Sequence, residues 1–192
     1  MSCAAHGLAL SRGLLVTEDV DLIREAVAML PQDRPVLVVD LGAGSGTSAL
    51  SVFAERSHGI AVVTVDKSEV ALASSGDAIR GSGFGELWSF IRSDSWDGPD
   101  LLPAQHRGVP IDLLLVDAGH AEHEVRRDVA AWLPLVRPGA PVWFHDYVGS
   151  WNLAGVAPED LPQVKPVVDE LVAAGVLEPV KEAGWGWLGV KQ

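Results

Sequence analysis

The chain has 192 residues, with 26 acidic side chains against 14 lysines and arginines and a formal net charge of −12. This charge repels phosphate backbones, so it argues against a nucleic-acid partner and favours a cationic ligand. The length fits one domain whose core needs no disulfide or metal. Cys3 is the single cysteine, which excludes a disulfide within the chain and fits a cytoplasmic protein. The sequence also shows neither a signal peptide nor an apolar run of the roughly 18 residues that a membrane span requires.

Continuous apolar runs alternate with helical patterns along the chain. The predicted strands span 36–39, 60–65, 87–91, 111–116 and 141–144, and the predicted helices span 17–30, 45–56, 68–80, 121–136 and 161–174. Strands that are apolar at every position are typical of a parallel sheet covered on both faces. Two further strands, 176–180 and 185–190, alternate in polarity and predict an antiparallel hairpin at the sheet edge. The pattern predicts a single α/β domain over 1–192 with roughly seven strands, of which residues 1–34 form an N-terminal helical lead-in.

A glycine-rich turn joins the first predicted strand to the next helix. It reads Asp40-Leu41-Gly42-Ala43-Gly44-Ser45-Gly46. Glycines allow a ligand to approach the backbone, and the helix start presents free N–H groups. The dinucleotide-binding fingerprint requires its third glycine at position 47, which is a threonine here. Asp40 would repel a pyrophosphate but would suit an amine or a sulfonium.

A second acid follows the next predicted strand. Asp66 stands twenty residues beyond Gly46, at the carboxyl end of the strand 60–65. A carboxylate in this position can accept hydrogen bonds from both hydroxyls of a ribose. An adenosine with a positively charged tail would satisfy Asp40, the glycines and Asp66 together, and S-adenosylmethionine is such a ligand.

On these motifs, residues 36–147 resemble the class I S-adenosylmethionine-dependent methyltransferases. The family's first motif is matched by Asp40–Gly46 and its second motif by Asp66. The resemblance implies a Rossmann-like three-layer sandwich with a mostly parallel seven-stranded sheet. It also implies that Ser93-Asp94-Ser95 lies near the amino group of the adenine, with Asp94 in contact with the adenine. The cofactor-binding residues that it implies are Asp40, Gly42, Gly44, Ser45, Gly46, Asp66, Asp94, Ser95 and Asp117.

The stretch 116–147 is similar to a narrower group, the small-molecule O-methyltransferases related to macrolide-sugar methyltransferases and cephalosporin-hydroxylase-like proteins. Asp117-Ala118-Gly119-His120 ends the fourth predicted strand, and His145-Asp146-Tyr147 ends the fifth. Many relatives hold a divalent metal here, which would place ligands at Asp117, His145 and Asp146. Histidine suits the later transition metals better than Mg²⁺. Relatives with an acid two residues past the first ligand use it as a base, whereas this chain has Gly119.

The general base therefore remains open among His120, His145 and Asp146, since imidazole and carboxylate groups can both take a proton from a hydroxyl. The resulting prediction is methyl transfer to a small acceptor, with an oxygen as the preferred methylated atom. Two alternatives stay open: a non-catalytic module that binds S-adenosylmethionine, and a dinucleotide-dependent oxidoreductase. The absence of a large inserted cap also leaves room for a homo-oligomer that covers the site.

Charged and aromatic residues outside these motifs have plainer interpretations. Asp19 is expected to stabilise the first turn of the helix 17–30 through the helix dipole. Glu124 and Asp128 are interpreted as part of a solvated helix face. Trp96 is a candidate to pack near the adenine, and Trp151 is a candidate to line an acceptor pocket.

Overall fold

Seven strands form one sheet in the computed structural model, which describes residues 15–147 and 163–192. They are β1 (Val36–Leu41), β2 (Ile60–Asp66), β3 (Trp88–Arg92), β4 (Leu113–Val116), β5 (Pro141–Phe144), β6 (Leu177–Ala183) and β7 (Gly186–Lys191). The strand order is β3-β2-β1-β4-β5-β7-β6. The first five strands are parallel to one another, whereas β7 is antiparallel to both β5 and β6. This arrangement confirms the predicted fold class, including the antiparallel hairpin at the edge.

Helices cover both faces of the sheet. They are α1 (Thr17–Ala28), α2 (Thr47–Glu55), α3 (Glu69–Gly81), α4 (Gly98–Leu101), α5 (Glu122–Trp132) and α6 (Val164–Ala173). Alternate residues of β1 belong to two apolar clusters, one shared with α1, α2 and α3 and the other with α5 and α6. Both faces are therefore buried, which explains the continuous apolar strands. Among the described helices, none combines the length and apolarity needed to cross a bilayer.

Several boundaries differ from the sequence prediction for local reasons. The helix predicted over 121–136 ends at Trp132, and Leu133–Leu135 continue as a 3₁₀ turn. Pro134 accounts for this end because it lacks an N–H and clashes with the preceding helical turn. The helix predicted over 161–174 is observed from Val164 to Ala173. Its first predicted residues and Trp151 lie outside the described residues.

Helix α1 begins at Thr17 as predicted, and its first turn also contacts the far edge of the sheet. Asp19 is fully buried, and it accepts hydrogen bonds from the N–H groups of Val16 at 3.0 Å and Trp185 at 2.8 Å. Trp185 lies in the turn between β6 and β7. Asp19 is therefore a tether between α1 and the edge hairpin, in addition to being an acid in the first turn of a helix.

The carboxyl ends of the parallel strands lie side by side because of the strand order. Backbone hydrogen bonds tie each following loop to a neighbouring strand: Ser93 N donates to Asp66 O, Gly42 N to Val65 O, Asp117 N to Leu41 O and His145 N to Val116 O. These bonds are 2.9–3.2 Å long. The loops that carry the predicted site residues are therefore placed next to one another by the sheet itself.

Candidate active site

The glycine turn after β1 depends on glycine at two positions. Gly42 has a φ of 96°, and a Cβ atom built on it would lie 1.9 Å from the carbonyl oxygen of Asp117. Gly46 has a φ of 86° where α2 begins, and a Cβ there would lie 3.2 Å from the Cα of Ser75. A side chain at either position would be strained by the positive φ, and at Gly42 it would also have no room. The turn consequently packs backbone to backbone against the loop after β4.

Asp66 is fixed in position by backbone groups on both sides. Its Oδ2 accepts a hydrogen bond from Ala43 N at 2.7 Å, and its Oδ1 accepts one from Ser68 N at 2.7 Å. The first bond joins the end of β2 to the glycine turn. Each carboxylate oxygen can accept a second hydrogen bond, so Asp66 can still receive two hydroxyl groups.

A cavity of about 230 Å³ opens at these strand ends. Six of the nine predicted cofactor residues line it: Gly42, Gly44, Asp66, Asp94, Ser95 and Asp117. Trp96, which was predicted to pack near the adenine, also lines this cavity. The structure thus brings the ends of β1, β2, β3 and β4 together around one space.

The other three predicted cofactor residues lie beside this cavity without lining it. Ser45 and Gly46 belong to the start of α2, where the Ser45 hydroxyl oxygen lies 2.9 Å from Thr47 Oγ1. Asp40 lies deeper, because β1 directs it to the same face as α2. It is fully buried, and its Oδ2 accepts a hydrogen bond from Thr64 Oγ1 at 3.1 Å. Direct contact between Asp40 and a ligand stays a prediction.

Burial also changes the ionisation of Asp40. Removal from water raises the pKa of this carboxyl to about 7, although the Ser48 and Thr64 side chains lower it and the nearby acids Asp117 and Asp66 raise it further. Asp40 is therefore partly neutral near pH 7, so it attracts a cation less strongly than the sequence alone implies.

Helix α5 supports the turn after β3. The indole N–H of Trp132 donates to the carbonyl oxygen of Ser95 at 2.7 Å, and the guanidinium of Arg127 lies 4.8 Å from the ring centre of Trp96. Asp94 is more exposed and lies 3.7 Å from Lys67 Nζ. Helix α5, which is not part of the sequence motifs, therefore supports the wall of the cavity that the turn after β3 forms.

Two acids of α5 do not lie on a solvated face, so that interpretation is wrong. Asp128 is fully buried, and burial raises its pKa to about 6 although the neighbouring Ser95 side chain lowers it. Glu124 lines the cavity, and its Oε2 accepts a long hydrogen bond of 3.4 Å from Ala121 N. The spacing of residues in the sequence could have indicated that both acids face inward. Glu124, Asp128 and Trp132 recur at intervals of four residues, which places them on the same face of the helix.

His145 at the end of β5 is buried among three carboxylates. Its Nδ1 lies 3.1 Å from Asp117 Oδ1 and 3.3 Å from Asp146 Oδ2, and its Nε2 lies 3.3 Å from Asp19 Oδ2. Burial by itself would lower the pKa of His145, but hydrogen bonds to these acids raise it well above the usual range. As an imidazolium, His145 has no lone pair for a metal or for a proton, so the arrangement favours a positioning role over the predicted base and ligand roles.

His120 is half-exposed and contacts two of the same acids. Its Nε2 lies 2.9 Å from Asp146 Oδ2 and 3.8 Å from Asp117 Oδ1. Hydrogen bonding to Asp117 and Asp146 raises the pKa of His120 to about 9, against the opposing effect of burial.

Asp146 has a φ of 56°, a left-handed conformation that aspartate tolerates better than most residues. Burial by itself would raise the pKa of Asp146, but the two imidazoles hold it well below the usual range.

Three of these groups could hold a metal ion. Asp117, His120 and Asp146 each offer a ligand atom, and these atoms lie within 4.8 Å of one another. The sequence predicted Asp117 and Asp146 with His145, whereas the structure places the more accessible His120 with them. One imidazole and two carboxylates suit a transition-metal ion better than Mg²⁺.

With the fold and the site defined, comparison with known proteins assigns the class. The family model described as a methyltransferase domain matches residues 39–147, which is more than half of the chain. The chain therefore belongs to the methyltransferase domain family. No curated protein sequence matches it.

Solved structures share the fold at low sequence identity. A protein from Corynebacterium glutamicum is 15% identical with a TM-score of 0.76, and the match covers 98% of this chain and 89% of that chain. The O-methyltransferase TomG from Streptomyces achromogenes, involved in tomaymycin synthesis and solved with SAM, is 15% identical with a TM-score of 0.72 and coverage of 98% and 89%. An O-methyltransferase from Bacillus cereus solved with SAH is 17% identical with a TM-score of 0.68 and coverage of 98% and 91%.

Because Asp40 is buried, we expect the original protein and an Asp40→Asn variant to differ in stability by an amount that depends on pH. Because its folded pKa of about 7 exceeds the ordinary value of 3.8, the folded state retains a proton that the unfolded state loses, and stability falls as pH rises between these values. Asp40→Asn cannot ionise, so we expect it to gain stability relative to the original protein between pH 4 and pH 8, by up to about 4 kcal/mol. Urea unfolding at several pH values measures this difference, and parallel curves for the two proteins would contradict it.

Proposed function

We propose that this protein transfers a methyl group from S-adenosylmethionine to a hydroxyl oxygen of a small acceptor. The observation that carries the proposal is the cavity in which Asp66, fixed by two backbone N–H groups, faces the same space as the glycine turn and the Asp117 loop. The family supports methyl transfer as the class of reaction. The relatives solved with SAM and SAH are named as O-methyltransferases, which supports the cofactor and the choice of oxygen.

The residues around the cavity fit this cofactor in shape and charge. Gly42 leaves no room for a side chain but leaves its backbone open to the cavity. Asp66 has two free acceptor positions for the ribose hydroxyls. The lining includes four carboxylates, from Asp66, Asp94, Asp117 and Glu124, together with Lys67. This negative balance favours a cation over the pyrophosphate of a dinucleotide, so it argues against the oxidoreductase alternative.

The acid–imidazole cluster supplies the groups for moving a proton. When bound, S-adenosylmethionine supplies a methyl group activated by its sulfonium for direct displacement by the acceptor oxygen. We assign the role of base to His120, because its imidazole is half-exposed whereas His145 is buried between carboxylates. The neutral form of His120, whose fraction grows as pH rises toward the His120 pKa of about 9, takes the acceptor's proton, and Asp146 and Asp117 stabilise the imidazolium that results. Buried His145 holds both acids in place, and Asp19 holds His145.

A reduced affinity for S-adenosylmethionine is expected for Asp66→Ala. Loss of both acceptor oxygens removes two hydrogen bonds to the ribose and releases Ala43 N, so the dissociation constant should rise at least about tenfold. Isothermal titration calorimetry measures it. Asp77→Asn is the matched control, because Asp77 is exposed and paired with Arg80 outside the cavity. Equal affinity in the Asp66 variant and the control would contradict the assignment of Asp66.

A loss of turnover is expected for His120→Gln. Removal of a general base lowers the rate by roughly 10²–10⁴-fold, while affinity for the cofactor should stay within about twofold because His120 does not line the cavity. Release of S-adenosylhomocysteine during incubation with a panel of hydroxylated small molecules provides the assay. Binding of the cofactor without turnover of any acceptor would favour the non-catalytic module instead.

The metal hypothesis gives a separate prediction at the same residues. A divalent ion held by Asp117, His120 and Asp146 would lower the pKa of the acceptor hydroxyl and replace the base. Since the imidazolium of His145 already offsets part of the charge of these acids, we expect turnover to survive dialysis against EDTA. Loss of turnover that Mn²⁺ or Zn²⁺ restores would instead assign the three residues to a metal centre.

A further inference from the structure

A second cavity, the amino-end cavity, lies where the parallel strands begin. Its volume is about 390 Å³, which is within the range of small-molecule pockets in proteins. Its lining comes from the starts of β1, β2 and β3 and from the loop before β4, and it includes Val36, Ile60, Leu87, Gln105, His106 and Val109. A strand rises about 3.3 Å per residue, so β1 separates this cavity from the glycine turn by roughly 17 Å. The two cavities share no lining residue.

The lining of the amino-end cavity is mostly apolar. Apart from Gln105 and His106, its side chains are those of apolar residues from the strand starts and the loop. Val109 of the loop is 42% exposed although it is a large hydrophobic residue. A ligand with an apolar body would remove this surface from water, which is favourable.

A buried arginine borders the amino-end cavity without a carboxylate partner. Arg56 is 6% exposed. Its guanidinium donates hydrogen bonds of 2.6–3.2 Å to the carbonyl oxygens of Pro31, Arg34, His58 and Gly59. Gly59 lines the cavity. Carbonyl oxygens satisfy N–H groups but leave the positive charge uncompensated, and none of the ion pairs among the described residues includes Arg56. An anion in this cavity would therefore be attracted to it.

Two further arginines share a single carboxylate at this end of the sheet. Asp112 Oδ1 accepts a hydrogen bond from Arg34 Nη2 at 2.6 Å and another from Arg137 Nε at 3.0 Å. Arg34 also donates to the carbonyl oxygen of Pro35, a lining residue, at 3.0 Å. One of these two guanidinium charges is therefore left without a matching acid.

Arg107 adds another cation on the loop side of the amino-end cavity. It follows the lining residue His106, and its Nε donates to the carbonyl oxygen of Leu102 at 2.9 Å. Within the part of the chain that the structure describes, it forms no ion pair. The acids near this end, besides Asp112, are Asp33 beside Arg34 and Glu86 before β3. Arginines thus outnumber acids here, in a chain whose formal net charge is −12.

We propose that the amino-end cavity binds a small organic anion in which a carboxylate is attached to an apolar body. The apolar body packs against the strand starts and Val109, and the carboxylate lies at the rim beside the arginines. A neutral apolar molecule would leave the charge of Arg56 uncompensated, and an inorganic anion would leave the apolar lining in water. The inference does not depend on the proposed function.

The test compares two ligands of nearly equal shape and different charge. Isothermal titration calorimetry measures the affinities of naphthalene-2-carboxylate and naphthalene-2-carboxamide, each with and without excess S-adenosylmethionine. We expect the original protein to bind the carboxylate with a dissociation constant below about 1 mM, and at least about tenfold more tightly than the amide. S-adenosylmethionine should leave both values unchanged, because it is expected in the other cavity.

Two variants locate the ligand. Val109→Asp places a negative charge in the lining and should weaken the carboxylate at least about tenfold. Val180→Asp is the matched control, because Val180 on β6 is 49% exposed and lies outside the cavity. Arg107→Gln should weaken the carboxylate roughly two- to fivefold and leave the amide unchanged. Arg80→Gln is its control, because Arg80 is exposed and pairs with Asp77.

Several outcomes overturn the inference. They are the absence of heat from the carboxylate at millimolar concentration, equal affinities for the carboxylate and the amide, and equal carboxylate affinities in Val109→Asp and Val180→Asp. If Val109→Asp does not fold, an unchanged carboxylate affinity in Arg107→Gln has the same meaning. Competition with S-adenosylmethionine also overturns it, since the carboxylate would then occupy the other cavity. Failure to bind S-adenosylmethionine, with the carboxylate preference intact, overturns the proposed function alone.

Discussion

The position of His145 between three carboxylates is the interaction on which the site depends. Its two ring nitrogens lie 3.1–3.3 Å from oxygens of Asp19, Asp117 and Asp146. These acids come from α1, from the loop after β4 and from the end of β5, and Asp19 is bonded in turn to the β6–β7 turn. One buried cation therefore joins four parts of the fold. Removal of one partner from such a buried ion pair costs about 3–5 kcal/mol, because it leaves an uncompensated charge.

The same cluster explains why two neighbouring histidines have different chemical roles. His145 is surrounded by acids on both ring edges, so its proton is held in place. His120 meets Asp146 and Asp117 through Nε2 and remains half-exposed, so it can exchange a proton with a ligand or with water. The left-handed backbone of Asp146 allows one carboxylate to contact both imidazoles. A modest local strain thereby supports a network with several charges.

Different kinds of groups form the two sides of the cavity. On the side of β1 and β2, the backbone is the main contributor, through the glycine turn and the N–H groups that hold Asp66. On the side of β3 and β4, side chains of α5 are the main contributors, with Trp132 holding Ser95 and Glu124 filling the space beside Gly119. The first side follows from a short motif in one segment. The second side depends on a helix that is more than twenty residues away in sequence from the turn that it supports.

The sequence by itself determined the fold class, the glycine turn and the position of Asp66, because these follow from local patterns, and the resemblance of its motifs to a known family indicated Asp94, Ser95 and Asp117. Apolar periodicity specifies strands and helices, and parallel strands bring their carboxyl ends together whatever the details of packing. Tertiary structure alone decided how deep Asp40 lies, which histidine is accessible, that Asp19 reaches His145, and that Glu124 and Asp128 face inward. Burial and charge pairing between segments set these properties, and the partners lie far apart along the chain: Asp19 and His145 are separated by 126 positions. No window of local sequence contains such a pair.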